Sequence, residues 1–306
     1  MLGAARRFFA ERAILEVDTP LLSRTTVSDP HIESIAATLE RKPGRPYFLQ
    51  TSPEFFMKRL LCAGYPDIYQ ICKAFRDGEA GRRHSPEFTL VEWYRRGYRL
   101  RQMMEETVAF IAALIEPRCT TAPPAFIEYR DAFGRYADVD PRQSSLAVLA
   151  EAAGADRRML RSLADDRDAW LDLLLTLRVM PRFAAGGLTV LYHYPASQAA
   201  LARLCPANAA LADRFEVFYG DLELANGFVE LQDANEQARR FERDRSLRRR
   251  RDQPVHSTDM RLLTALHAGL PECAGVAVGF DRLLMINEIS EDIRQVQSFA
   301  FDEDDA

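Results

Sequence analysis

Two runs of strand-forming residues, "DIYQICKAFR" (67–76) and "EFTLVEWYRR" (87–96), flank the charged turn "DGEAGRRHSP". Apolar, β-branched and aromatic residues dominate both runs, and their separation by a turn rich in Gly and charge predicts an antiparallel hairpin. A strand presents alternate residues on one face. Arg76 at the end of the first arm, with Glu87, Phe88 and Glu92 on the second, is therefore expected to face one cleft. The planar fork of an arginine donates two parallel hydrogen bonds to a phosphate, and an aromatic ring offers a face on which a base can stack. A solvated charged hairpin is the competing reading, since charged residues are mostly exposed.

Strands recur in pairs along the chain, with helices between them. Residues 3–12 suit a helix, and "ILEVDTPLL" reads as a strand that Pro20 ends. Thr51 or Ser52 can cap a helix that carries Pro53 in its first turn and ends at Gly64. Residues 100–116 form an amphipathic helix, "CTTAPPAF" a loop, and 145–178 a helical region rich in Ala and Leu. "LTVLYHYP" reads as a strand, "SQAALARL" as a helix, and "RFEVFYG" and "LELANGFVE" as strands. A long charged helix spans about 231–251, and "GVAVGFDRLLMI" is a strand feeding a buried helix. This alternation predicts an α+β fold, an antiparallel sheet flanked by helices, in a single catalytic-type domain over residues 1–306.

Composition narrows the function classes. The 306 residues carry a net charge of -5, so a globally basic nucleic-acid surface is not indicated. Five scattered cysteines, Cys62, Cys72, Cys119, Cys205 and Cys273, form no CxxC pair, so neither a disulfide framework nor a zinc site is suggested, which fits a reducing, cytoplasmic setting. No signal peptide or membrane span is expected, because charges interrupt the apolar start.

Two further stretches carry chemistry. In "GDLELANGFVELQD" Glu223 and Glu230 flank Asn226-Gly227, and two carboxylates at a strand irregularity can reach one divalent ion; Mg2+ prefers few carboxylates plus phosphate oxygens. An exposed strand is the alternative. In "GVAVGFDRLLMI" a strand ends at Gly279 and Arg282 stands at a helix N-terminus, a geometry suited to phosphate. The alternative is a helix start in which Arg282 pairs with Asp281.

Taken together, "RRFFAERAILEVDTPLL", "FRDGEAGRRHSPEFTLVEWY" and "GVAVGFDRLLMI" resemble, in order, motifs 1, 2 and 3 of the class II aminoacyl-tRNA synthetases. "TSPEFFMKRLL" and "ELANGFVEL" narrow the resemblance to the lysyl-tRNA synthetase branch. "YHYPASQAALA" brings it nearest to that branch's truncated paralogues, the elongation factor P–lysine ligases. It covers nearly the whole chain and implies a homodimer formed through motif 1. It further implies activation of lysine or (R)-β-lysine by ATP with Mg2+, and transfer to a lysine of elongation factor P.

The resemblance assigns roles by position. Arg76 matches the arginine on the α-phosphate and the amino-acid carboxylate, and Arg282 the one on the γ-phosphate. His84 and Phe88 match residues around the adenine, with Asp77, Gly78, Ser85, Leu224 and Gly279 also on the ATP side. Glu223 and Glu230 match Mg2+-linked carboxylates. Ser52, Pro53, Glu54, Glu92, Tyr94, Asn226, Glu230 and Ala277 fall in the amino-acid pocket, and the turn from Glu79 to Arg83 lies over the nucleotide. A lysine-type side chain brings a distal ammonium that only a buried carboxylate can offset. Adenylation needs electrostatic stabilisation at the phosphates and no general base. Three positions depart from the usual pattern: Gly78 for glutamate, Ser85 for asparagine, and Ala277 for the glycine of lysyl-tRNA synthetases. No strands precede Arg6, so an anticodon-binding barrel is not expected, and a tRNA acceptor is disfavoured. A minimal lysyl-adenylate synthetase and an inactive ATP- or lysine-binding paralogue remain as alternatives.

Overall fold

The computed structural model describes residues 1–40, 44, 46–116 and 122–301. Helix α1 (Leu2–Ala10) is followed by β1 (Leu15–Glu16), β2 (Leu22–Ser23), β3 (Ala36–Ala37), β4 (Tyr47–Leu49) and α2 (Glu54–Cys62). The expected hairpin is β5 (Ile68–Phe75) and β6 (Glu87–Arg96), and α3 (Leu100–Leu114) follows it. Next come β7 (Ala125–Glu128), α4 (Tyr129–Ala137), α5 (Leu146–Ala153), α6 (Arg157–Leu163), α7 (Arg167–Leu174) and β8 (Leu188–Tyr192). Then β9 (Leu204–Cys205), β10 (Asn208–Ala212), β11 (Arg214–Tyr219), β12 (Leu222–Val229), α8 (Ala234–Arg250), α9 (Met260–Gly269), β13 (Cys273–Gly279) and α10 (Phe280–Asn287) complete the order. Cys119 and the first residues of the expected loop "CTTAPPAF" lie outside the described residues.

Eight strands form the main sheet in the order β1-β5-β6-β13-β12-β11-β8-β7. The two outer pairs are parallel, and every pairing from β5 through β8 is antiparallel. Register fixes which side chains share a face. Glu92 stands opposite Gln70 on β5 and Ala277 on β13, and Ala277 stands opposite Asn226 on β12, which faces Glu216 on β11. One residue along, Val91, Val276, Val278, Phe215 and Val217 turn to the other face, where they pack with Trp93 against Phe8 and Phe9 of α1 and Met103, Phe110 and Ile111 of α3. The sheet therefore has one apolar face sealed by two helices and one face free to carry polar chemistry. Over that second face α2, α8 and α9 pack at one end around Met57, Phe241 and Leu262. Helices α4 to α7 pack at the other around Trp170, Phe133 and Leu191. The middle strands lie between these two clusters.

One irregularity breaks this alternation. Val217 pairs with Ala225 while the next residue, Phe218, pairs with Glu223, so Leu224 is an extra residue. The sequence placed the irregularity at Asn226-Gly227, but those two residues sit in regular register.

One sequence expectation fails locally, and one helix divides within itself. "SQAALARL" forms no α-helix; it makes one 3-10 turn, Ala196–Gln198, and then runs into β9. The side chains of Ser197 and Gln198 are drawn to Asp168 and Asp172 of α7, at 2.7 and 2.8 Å. The arginine-rich half of α8 is also not a uniform surface. Arg248 is only 1% exposed and donates to the carbonyls of Ser28, Asp29, Ile32 and Pro254 and to the carboxylate of Glu33. Arg240 is buried on the carbonyls of Ala200 and Ala202. Arg239, Arg245 and Arg249 pair along the helix with Glu236 or Glu242, and Arg251 with Asp166.

Candidate active site

The polar face of the sheet gathers a buried cluster of acids. Glu92 on β6 is buried and accepts from Ser52 Oγ and Tyr94 Oη, each at 2.7 Å. Ser52 also accepts from the Glu54 N–H at 3.1 Å, which ties the start of α2 to the sheet, with Pro53 at the helix boundary. Lys58, one turn later on α2, is itself buried and lies 2.6 Å from Glu54 and 2.5 Å from Glu230. Two carboxylates, Glu54 and Glu230, thus share one ammonium, while Glu92 is held by Ser52 and Tyr94 and feels the Lys58 charge only at a distance. Burial, reinforced by the neighbouring Glu54, pushes the Glu92 carboxyl up to about 7. Burial raises Glu230 to about 8 even though Lys58 pulls the other way. The Lys58 ammonium survives burial because Glu230 and Glu54 hold it charged, above the ordinary lysine value. The Oε1 atom of Glu230 is buried with no hydrogen-bond partner. The floor of this pocket is Gly275, opposite Tyr94. A methyl group there would come within 2.6 Å of Glu230 and still closer to the Tyr94 ring.

Two arginines stand further along, one at the end of β5 and one at the start of α10. Arg76 closes β5, its guanidinium 5.1 Å from the centre of the Phe88 ring and 3.5 Å from Glu79. Its Nε is buried without a partner. Arg282, in the first turn of α10, donates to the Glu223 carbonyl at 2.6 Å and lies 2.9 Å from His84 Nε2. Partial desolvation, followed by the Arg282 charge, lowers the His84 pKa, and the guanidinium, which can only donate, makes Nε2 the acceptor. Asp281 does not pair with Arg282; it accepts from the Thr89 N–H at 2.6 Å and pins α10 to β6.

The structure brings most of the expected residues together and moves several. Glu87 points to the other side of the hairpin and pairs with Lys73 at the surface. Glu223 and Glu230 do not form one metal-binding pair, since Glu230 is spent on Lys58. The carboxylate that Glu223 electrostatically raises is Glu216, which burial first of all pushes up to about 7. On plain alternation Glu223 would face the α1 and α3 core. The bulge at Leu224 turns it onto the polar face with Asn226, which is how bulges re-aim side chains beside active sites. Leu224 itself is a core side chain, so a nucleotide contact there falls to its main chain. His84 is held by Arg282, whereas Phe88 lies against Arg76; the two expected adenine neighbours answer to different arginines. Asp77 and Gly78 are exposed, and Ser85 is buried beneath the turn. Gly78 has φ +74, a conformation that a glutamate adopts only at a cost, and Glu79 reaches Arg76 in its stead. Arg82 and Arg83 pin the turn through Glu291 and Asp221. Ala277 sits between Glu92 and Asn226, and Gly279 begins α10.

Sequence reasoning missed Lys58, Glu216, Arg214 and Tyr194. Arg214 donates to Asn226 at 3.1 Å and to Glu216 at 2.6 Å, and Tyr194 donates to Glu216 at 2.5 Å. The Glu54-to-Lys58 spacing on a helix was the available signal for one of them. The other three needed the sheet register.

A family model described as tRNA synthetases class II (D, K and N) matches residues 1–303. The chain belongs to that class II synthetase family. Curated relatives include a protein of Salmonella paratyphi B, 42% identical over 99% of this chain and 93% of its own length, and one of Klebsiella pneumoniae with the same figures. Both are named elongation factor P–(R)-β-lysine ligase. The stretch that resembles motif 2 folds as the hairpin of β5 and β6, and the one that resembles motif 3 as β13 with α10. No helix among the described residues is long and apolar enough to cross a membrane.

Proposed function

We propose that this class II protein activates a diamino monocarboxylic acid with ATP and transfers it to a lysine amine of elongation factor P, with (R)-β-lysine as the amino acid. The observation that carries this reading is the pocket that gathers Glu54, Glu92 and Glu230 around a single cation, Lys58, which pairs with Glu54 and Glu230 and leaves Glu92 to Ser52 and Tyr94. One cation for three acids leaves negative charge that burial penalises. A substrate with two ammonium groups supplies it, and its carboxylate is matched by Arg76. The names of the two relatives support the acceptor and the isomer.

The chemistry follows from placement. The amino-acid carboxylate attacks the α-phosphorus of the substrate ATP, the α–β phosphoanhydride bond breaks, and pyrophosphate leaves. The acceptor amine then attacks the acyl carbon, and AMP departs with the bonding pair. Arg76, with its unpartnered Nε, fits the α-phosphate and carboxylate. Arg282, held on the Glu223 carbonyl, fits the terminal phosphate. Phe88 offers its ring to the base. Glu223, turned onto the polar face by the bulge, is the carboxylate that would hold Mg2+, which when bound neutralises polyphosphate oxygens; both oxygens of Glu216 are already taken by Arg214 and Tyr194. The same reading takes the protein as a cytoplasmic homodimer joined through motif 1 and working as one catalytic domain, with tRNA not its acceptor.

The test is amino-acid-dependent pyrophosphate exchange with a panel of lysine isomers, followed by acceptor labelling with elongation factor P and with tRNA. Exchange with (R)-β-lysine and labelling of elongation factor P are expected. Charging of tRNA with no labelling of the factor would overturn the acceptor, and no exchange with any diamino acid would overturn the activity.

A further inference from the structure

Away from the acid pocket, three ligand-type side chains converge at the start of β11. His193 follows β8, Cys205 ends β9, and Asp213 precedes Arg214. Their ligand atoms all lie within 4.8 Å of one another. The surroundings are ordered as outer-shell support. His193 Nδ1 lies 3.3 Å from the Glu128 carboxylate, and Nε2 is left facing Asp213 at 3.9 Å, beyond hydrogen-bond reach. Asp213 gives its Oδ2 to Arg203 at 2.8 Å and keeps Oδ1 toward the histidine. A carboxylate on the far nitrogen of a ligating histidine, and a hydrogen bond on the far oxygen of a ligating carboxylate, are what fix first-shell ligands in metal sites. His193 also holds a left-handed backbone at φ +59, with its N–H donating to the Arg214 carbonyl at 3.0 Å.

We propose that His193, Cys205 and Asp213 form a transition-metal site of the Zn2+ class, separate from the catalytic divalent cation. Imidazole and thiolate with one carboxylate suit Zn2+; Mg2+ and Ca2+ take all-oxygen sets. Binding releases the Cys205 proton to solvent and leaves a fourth position for water. The site closes the excursion from 193 to 213 onto the sheet. That excursion carries Gln198, whose carbonyl accepts from Arg214 at 2.7 Å, and Arg214 in turn holds Asn226 and Glu216. The metal therefore braces the wall of the pocket without touching substrate.

The probe is Co2+, then Zn2+, added to the metal-stripped full-length protein. One thiolate-bound Co2+ per chain is expected, with a thiolate-to-cobalt charge-transfer band that Zn2+ displaces. The band is lost in Cys205→Ser and in His193→Ala. Zn2+ raises the unfolding temperature of the native chain and leaves that of Cys205→Ser unmoved. Oxygen-ligated cobalt at the catalytic cation site near Glu223 gives no such band, so the two sites are read separately. Absence of the band in the native chain, or its persistence in Cys205→Ser, overturns the proposal.

Discussion

On the proposed function Arg76 and Arg282 each face a place where negative charge develops, and the fold holds Arg76 beside Glu79 and Arg282 on the Glu223 carbonyl. Removing one such preorganised donor costs about 3–4 kcal/mol of transition-state stabilisation. Arg76→Ala and Arg282→Ala are therefore expected to lower kcat for pyrophosphate exchange by about 10²–10³-fold, and near-native exchange in either would remove it from the site. Ala277 is proposed to act by volume. It lies in register between Glu92 and Asn226, and its methyl group faces the pocket. Ala277→Gly should favour α-lysine relative to β-lysine, by about 1–3 kcal/mol at most, because one methyl group discriminates no further. Ratios of kcat/KM for the two isomers measure this shift.

At the scale of elements, the bulge in β12 and the two halves of α8 separate scaffold from site. The sequence motif around Glu223 reads Leu224 as part of the nucleotide site, yet its side chain is 2% exposed and packs in the apolar core. Leu224→Ala should cost about 2–5 kcal/mol of stability and leave the KM for ATP near its native value, as denaturant unfolding and exchange kinetics would show. Helix α8 divides in the same manner. Arg248 clamps the loop from Ser28 to Glu33, and Asp77 of the motif 2 turn donates its N–H to the Glu33 carbonyl at 3.0 Å. Arg248→Ala should destabilise the fold by about 3–5 kcal/mol, as removal of one partner from a buried ionic network does. Arg249 and Arg250 are exposed, so their reversal to glutamate should slow acceptor labelling through the association rate while adenylation persists. Equal labelling rates would show that this helix face does not meet the acceptor.

For the molecule as a whole, the acid pocket ties stability and affinity to pH. Glu92, Glu216 and Glu230 keep their protons to about 7, 7 and 8 in the folded chain, all above the ordinary carboxylate value. Between about pH 5 and 8 the folded state binds more protons than the unfolded one, so stability of the free protein falls as pH rises. His84 is lowered and works in the opposite sense, but it is one group against three. Lys58 is raised, and its contribution is lost only at alkaline pH, outside this window. A diammonium substrate needs the carboxylates ionised. Its KM should therefore rise as pH falls from 8 toward 6, by up to about tenfold per unit for each proton displaced. Thermal unfolding with and without the amino acid, alongside KM across the same range, checks both trends. A flat profile would mean that the acids do not meet the substrate.

The residues alone determined the antiparallel sheet, the hairpin with Arg76 and Glu92, the strand-to-helix step at Arg282 and the family resemblance, because alternation and turn chemistry are local properties of the chain. Three things needed the tertiary structure. Whether Glu230 meets a metal or an ammonium depended on α2 delivering Lys58 to it. Whether Glu223 faces the core or the cleft depended on one extra residue in β12, and a period-2 reading cannot place such a residue. Which arginines of α8 are surface and which are clamps depended on the loop from Ser28 to Glu33 packing against them. Each is decided by a long-range contact that burial makes energetically decisive, and sequence spacing carries no record of which distant group will arrive.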